Sequence, residues 1–260
     1  MNIVVLTAAE PLYLPRFFGQ FLRARGADVK GVFVAPPLYG KDSTLTMVRK
    51  YTAAFGVGNL LTLVRRTVTA KVCDRLHIGR ARGEFHSIFG AAAAHGVPCE
   101  AVPKVNAPEF LERLRAMQTD LIVSVSCPQV FRKPLIGLPP RGCLNMHGAL
   151  LPKYRGIAPS FWMMAHGEQE AGVTVFFVNE DIDAGDVVEV ESFPILPDET
   201  LDQFIIRSKE IACHVLLRAI ERVECGPVTT TPLSKAQGSY FGFPTRSAYR
   251  EFRRRGRRLW

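Results

Sequence analysis

The sequence predicts an α/β protein built on an open, mostly parallel sheet, and three observations carry that prediction. The chain opens as strand, helix, strand within its first 34 residues, the spacing of a right-handed βαβ unit. Its later strand candidates are near-continuous apolar runs such as DLIVSVS and GVTVFFV, which suit strands buried on both faces. At 260 residues, 47% hydrophobic and 22% charged, the chain can bury one substantial core and carry a modest appendage. The expected architecture is a Rossmann-like sheet with an inserted helical segment and a short C-terminal extension. Residues 1–224 form the sheet domain, with 38–83 inserted into it, and 225–260 form the extension.

Each element has its own justification. Asn2 to Thr7 is a β-branched run of the kind that opens a buried strand. Tyr13 to Arg25 repeats apolar residues at helical spacing and stops at Gly26, and Val29 to Val34 reads as the second strand. The sheet does not require the segment between Leu38 and Gly83, which is basic and amphipathic, with helical periodicity in Leu45 to Phe55 and in Leu60 to Leu76. It is expected as a helical pair packed on the sheet edge, the alternatives being a lid over the substrate or a membrane-surface helix. Glu84 to His95 reads as helix, and Asn106 is placed to cap another that has Pro108 in its first turn and runs to Met117. Asp120 to Ser126 and Gly142 to Met146 read as strands, Ala158 to His166 as helix, Gly172 to Val178 as strand, and Val187 to Ser192 as a strand with a weaker pattern. Thr200 to Glu224 is the longest helical pattern and closes the sheet domain.

Several classes are disfavoured. The chain has no uninterrupted apolar stretch of about 18 residues or more, and MNIVVLTAAE carries no basic leader before its apolar block. A cytoplasmic protein with no transmembrane segment is expected. The six cysteines show no Cys-x-x-Cys pair, so they are expected as free, mostly buried thiols with no metal site. The net charge is +9, and the terminal run RSAYREFRRRGRRLW sets seven arginines against one glutamate. Such a run can bind RNA, anionic lipid or a phosphorylated substrate. The expectation here is a solvated helix face without part in catalysis. Nucleic acid is disfavoured as a partner, although the basic tail leaves it open, and a homodimer is compatible with the sequence.

The chemistry concentrates after the strand at Gly142 to Met146, which delivers Asn145 and His147 to its carboxyl end, where open α/β sheets place ligands. Residues two apart on a strand point the same way, so an amide and an imidazole can converge on one reacting carbonyl. On its own, Asn-x-His is a weak signal. The loop LLPKYRG, then APSFWMMAHG, the strand GVTVFFV and the turn NEDIDAGD follow it. Together, NMHGALLPKYRGIAPSFW and GVTVFFVNEDIDAGDVV resemble the signature of the 10-formyltetrahydrofolate-dependent formyltransferases. That family includes glycinamide ribonucleotide, methionyl-tRNA and nucleotide-sugar formyltransferases and the formyltetrahydrofolate hydrolases. The resemblance runs from Asn2 to Phe193 in layout and is tight from Asp120 to Val188, and the 38 residues from Asn145 to Asp183 agree with the family spacing.

The resemblance implies a formyltransferase fold, with 10-formyltetrahydrofolate as co-substrate and no metal. It makes Asn145 the holder of the formyl oxygen, His147 the group beside the reacting carbon, and Asp183 the carboxylate that orients His147 and an ordered water. The residue types fit the chemistry. Attack of an amine on the formyl group makes a tetrahedral oxyanion and a surplus proton, so the site needs donors and a proton route. By the same resemblance Gln129, Val130 and Phe131 meet one edge of the pterin, largely through main chain, and Asn179, Glu180, Asp181 and Ile182 close over the other.

Two departures bear on substrate. Ala149 stands where most relatives carry serine, which is expected to tune rather than abolish activity. The stretch TAAEPLYLPRFF lacks the glycine- and serine-rich phosphate loop of the glycinamide ribonucleotide enzymes. The methionyl-tRNA enzymes add a C-terminal β-barrel domain, whereas 36 residues follow Glu224 here, and LSKAQGSYFGFPT resembles a segment near the end of several sugar-nucleotide enzymes. The leading expectation is therefore transfer to the primary amine of an amino sugar, a sugar nucleotide or another small molecule. The alternatives are a methionyl-tRNA formyltransferase-like enzyme, a formyltetrahydrofolate hydrolase, or an idle formyltransferase-like module that binds RNA or membrane.

Overall fold

The computed structural model describes residues 1–36 and 44–260, so residues 38–43 of the expected insertion lie outside the described part. The opening unit is β1 (Ile3–Ala8), α1 (Leu14–Arg25) and β2 (Val29–Ala35), followed by the inserted pair α2 (Thr44–Phe55) and α3 (Val57–Arg75). Next come α4 (Ile88–Ala94), β3 (Cys99–Ala101), α5 (Pro108–Ala116), β4 (Leu121–Val125), α6 (Lys133–Ile136) and β5 (Cys143–His147). The two-residue β6 (Arg155–Gly156), α7 (Pro159–His166), β7 (Glu170–Phe177) and β8 (Val187–Pro194) precede the long α8 (Leu201–Glu224). The chain ends with β9 (Tyr240–Phe241) and α9 (Arg246–Arg254).

Seven strands form one sheet in the order β3-β2-β1-β4-β5-β7-β8. The first five run parallel, and β7 and β8 are antiparallel additions. The chain builds outward from β1 in one direction and from β4 in the other, so a crevice opens at the carboxyl ends of these strands. Alternate residues of β1 serve two cores: Ile3 and Val5 join the larger, with α1, α4, α7 and α8, while Val4 and Leu6 join the smaller, with α5. Covering both faces is the reason the central strands read as unbroken apolar runs. The 24-residue α8 starts with a reciprocal cap, in which the Thr200 hydroxyl accepts the Gln203 N–H and the Gln203 side chain accepts the Thr200 N–H.

Three expectations are corrected, and one strand goes unannounced. The helix expected from Glu84 begins at Ile88, because Ser87 caps it by accepting the Gly90 N–H at 2.8 Å; the preceding Phe85 instead lies over Gly19 of α1, where a Cβ would approach its ring to 2.7 Å. Asn106 does not cap α5, whose cap position is Ala107; its side chain turns away to donate to the Val130 carbonyl and accept the Arg132 N–H. β3 is a three-residue edge strand that no apolar run announces. The inserted pair is anchored through α2, which packs on α9 rather than on a sheet edge, with Phe55 meeting Tyr249 at 5.3 Å between ring centres.

The basic tail also departs from a solvated face. Phe252 of α9 is fully buried and stacks on Phe161 at 5.2 Å. Beyond α9, Arg257 is buried and donates to the carbonyls of Leu196 and Pro197 at 2.6 and 2.7 Å. The carbonyls of Arg258 and Leu259 accept the N–H groups of Leu201 and Asp202, donors that a helix start leaves unpaired. Arg255 Nε donates to Ala165 O at 3.0 Å, at the carboxyl end of α7. The cysteines are free; Cys143 and Cys213 are buried, Cys225 is exposed and the other three are half-buried. Among the described residues, no helix is long and apolar enough to cross a membrane.

Candidate active site

β5 has partners on both sides: Asn145 stands opposite Ser124 of parallel β4 and Phe176 of antiparallel β7, and His147 stands opposite Thr174. A strand held along both edges fixes its side chains firmly. At its carboxyl end is a cleft of about 590 Å³ lined by Asn145, His147 and Asp183, by residues 129–131 and by residues 179–182. All ten residues singled out in the sequence therefore face one space, of a size typical of small-molecule sites.

The Asn145 amide makes no hydrogen bond among the described residues and keeps both its donors and its acceptor. His147 is buried, and its Nε2 lies 2.7 Å from the Tyr154 carbonyl. A carbonyl oxygen only accepts, so Nε2 carries the proton. Nδ1 faces Asp183 Oδ2 at 3.8 Å, too far for a direct hydrogen bond but close enough for the carboxylate to compensate a charged ring.

Asp183 adopts the left-handed conformation at φ 49°, which aspartate tolerates better than most residues. Its Oδ2 accepts the Gly156 N–H at 3.0 Å. Gly156 has φ 96°, and a Cβ there would collide with the Phe241 carbonyl oxygen, so glycine alone suits the close approach of β6 to β9. The C-terminal extension thereby reaches the site. Arg155 N–H donates to Ser239 O, Ile157 N–H to Phe241 O, and Tyr154 N–H to Ser239 Oγ. The Tyr154 ring stacks on Phe241 at 5.4 Å, and its hydroxyl donates to Glu168 at 2.7 Å. The loop that receives the His147 proton and holds Asp183 is thus clamped by residues 239–241.

The flanking loops are braced through their polar side chains. Gln129 is buried, accepting the Val105 N–H and donating to the carbonyls of Pro36 and Pro103, so its side chain fixes the loop and leaves contact to the main chain. Val130 stands exposed, and Phe131 is sunk in the smaller core. Opposite them, Asn179 accepts the Asp181 N–H and donates to Ala184 O, folding the turn. Glu180 meets Lys133 at 3.1 Å across the cleft rim, and Ile182 is exposed. Val130, Ile182 and Ile157 give the mouth an apolar lining suited to a flat aromatic ligand.

Sequence reasoning missed two residues. Lys209 of α8 lines the cleft and donates to Ser126 Oγ at 3.2 Å; burial lowers its pKa, opposed by the carboxylate of Glu10. The available signal was a Ser208-Lys209 pair interrupting the apolar stripe of α8. Glu10 itself, just beyond β1, accepts the N–H groups of Leu12, Tyr13 and Leu14 at 2.7, 2.8 and 3.0 Å. Those donors belong to the start of α1, the place where an open α/β fold commonly binds phosphate. Ala149 is fully buried, and its carbonyl accepts the Thr174 hydroxyl. Among the described residues, no three His, Cys, Asp or Glu side chains are placed to hold a metal ion.

Comparison with known proteins is consistent with this layout. A family model described as formyl transferase matches residues 79–220, more than half of the chain. A methionyl-tRNA formyltransferase of Trichlorobacter lovleyi is 36% identical over 149 residues, covering 57% of this chain and 47% of that protein. The chain spans about half the length of the curated relatives it matches. Among solved structures, glycinamide ribonucleotide transformylase 1 from Symbiobacterium toebii aligns with a TM-score of 0.58 at 18% identity, over 90% of this chain and 94% of that one. An N-formyltransferase from Helicobacter canadensis, solved with folinic acid and dTDP-3-aminofucose, aligns with a TM-score of 0.57 at 16% identity, over 93% and 71%. At these identities the two structures establish the shared fold.

Proposed function

This chain belongs to the formyl transferase family, and from that premise we propose that it moves a formyl group from 10-formyltetrahydrofolate to the primary amine of a small molecule. One observation carries the reading: an unpartnered Asn145 amide, a His147 ring with its Nε2 proton committed, and the Asp183 carboxylate share one cleft with two loops suited to a flat ligand.

The bonds balance simply. The acceptor nitrogen attacks the formyl carbon, the carbon–N10 bond breaks, and a proton passes from the acceptor to N10, leaving a formamide and tetrahydrofolate. Asn145 donates to the formyl oxygen as it gains charge. With Nε2 bound to Tyr154 O, His147 donates to that oxygen only through a protonated Nδ1, and Asp183 at 3.8 Å compensates the charge. Asp183 then relays the surplus proton through a bridging water. The pterin lies between residues 129–131 and 179–182, contacted mainly by main chain.

The acceptor enters from the β1 side, where Lys209 and Ser126 offer donors. Glu10 already satisfies the amides at the start of α1, which argues against an acceptor anchored there by phosphate. An amino sugar or sugar nucleotide held elsewhere along the cleft is the leading acceptor. The methionyl-tRNA formyltransferases among the relatives keep aminoacyl-tRNA as a second reading.

The test incubates purified protein with formyltetrahydrofolate and, in separate arms, an extracted small-molecule pool, charged tRNA, or buffer alone. Mass spectrometry of the first arm should find a product heavier by one formyl group. Product only with tRNA replaces the acceptor, formate in buffer alone replaces transfer with hydrolysis, and failure to bind a 5-formyl folate removes the proposal.

A further inference from the structure

The second inserted helix, α3, turns an apolar row outward. Val57, Leu61, Val64, Val68 and Val72 of α3 are each 49–63% exposed. At about 100° per residue they fall within an arc of about 80°, along a helix about 28 Å long. Nothing in the described part of the chain covers this stripe, whereas isolated exposed aliphatics are ordinary and a contiguous row is not. Arg65, Lys71 and Arg75 flank it, exposed and without an ion pair among the described residues. Across residues 44–78 Asp74 is the lone acid, against six lysines and arginines, and it is paired with Arg80.

The stripe runs directly into a second cavity, of about 520 Å³, in which Ala54, Phe55 and Gly56 face Arg246, Arg250, Arg253 and Arg254 of α9. Gly56 lines this cavity, and the next residue, Val57, begins the stripe. Arg246 and Arg250 have no ion-pair partner among the described residues, and Glu251 of the same helix is occupied by Arg254 and Arg255.

We infer that this face docks the protein on a membrane surface rich in anionic phospholipid, with the α3 stripe entering the headgroup–acyl boundary and the arginine cavity taking lipid phosphate. Charge decides between occupants. A second copy would set one strongly basic face against another, which like-charge repulsion opposes. RNA would use the arginines and leave the aliphatic row wet. An anionic bilayer satisfies both features, the combination that holds amphipathic helices in the interface plane. α3 is too polar to cross a bilayer, so the contact is peripheral.

The experiment co-sediments the full chain with vesicles of phosphatidylcholine alone and of phosphatidylcholine mixed equally with phosphatidylglycerol. Binding is expected to the mixed vesicles only, weakening as salt rises. The pairs Val64→Asp/Val68→Asp and Arg246→Glu/Arg250→Glu should each reduce it at least about tenfold, with circular dichroism and folate binding unchanged. If the aspartates perturb folding, Val64→Ser/Val68→Ser provides the same test. Equal binding to both vesicles, binding to neither, or loss in the arginine pair with full retention in the valine pair would overturn the inference. In the last case retained dependence on the arginines alone, with a generic RNA as competitor, would mark the face as a nucleic-acid surface.

Discussion

The two halves of the candidate site are held in different ways. Asn145 and His147 stand on β5, paired along both edges deep in the sheet. Asp183 sits in a turn in the left-handed conformation, tied through the Gly156 N–H to a two-residue strand pair made with the end of the chain. The sheet fixes the two groups that the proposed reaction sets against the formyl oxygen. Residues 239–241, more than fifty positions beyond it in the chain, hold the loop that fixes the Asp183 carboxylate. On the proposed mechanism, geometry near the reacting carbon should survive local loosening, whereas proton handling should depend on the docking of the C-terminal extension.

The largest effect should come from the loop-held half. Asp183→Asn keeps the size and one acceptor but removes the charge facing His147. Turnover at saturating substrates should fall by at least about two orders of magnitude, within the 10² to 10⁴ of general acid–base catalysis, with folate affinity changed far less. His147→Asn should match it, and the double variant should be little worse than either alone, because groups acting as one unit are non-additive. Single-turnover kinetics on folded variants decide the point. Additive losses would mean that the halves work independently.

Next is Phe252→Ala, which empties a fully buried site against Phe161 and should cost about 3–5 kcal/mol of stability. Thermal or denaturant unfolding measures it. A variant as stable as the parent would show that the extension is an appendage after all. Gly156→Ala strains a residue at φ 96° and pushes against Phe241, a cost on the order of 1–3 kcal/mol. It should lower turnover about tenfold while leaving folate binding nearly intact. An unchanged rate would separate the β6–β9 pair from the position of Asp183.

The smallest effect is expected at Cys127, which lines the cleft. Burial pushes its thiol up to about 11, eased by a hydrogen bond from the Gln129 backbone. The thiol therefore stays protonated at neutral pH, and its alkylation should accelerate only as pH rises toward that value, well after exposed Cys225 has reacted. Cys127→Ser should keep turnover within about twofold; a dead but folded variant would give this sulfur a chemical part.

The sheet was legible because β1 and β4 are buried on both faces and announce themselves as largely apolar runs. The Asn145, His147 and Asp183 set was legible through a family resemblance that spans the intervening loop. What stayed hidden shares a physical cause. β3 is short and half-exposed, Asn106 spends its side chain on a distant loop, and β6 and β9 contribute two residues each. Local periodicity carries no trace of a contact made across 85 residues, such as Tyr154 with Ser239. The tail deceived for another reason: seven arginines mask a single buried phenylalanine, and Arg257 is buried by donating to carbonyls rather than by pairing with acid.

On the proposed reaction, Glu10 carries a consequence for which acceptors the cleft would admit. Its carboxylate is covalently tethered three positions or fewer from two of the three amides it fills, and four from the third. It therefore competes for them at the high effective concentration of an intramolecular ligand. A free phosphorylated amine must displace that tethered rival before it gains anything from the start of α1. Selectivity against such acceptors then needs no clash and no repelling wall, and it can be released at one codon. Glu10→Gly would hand the three amides back to solvent and let an acceptor phosphate bind where the chain now binds itself.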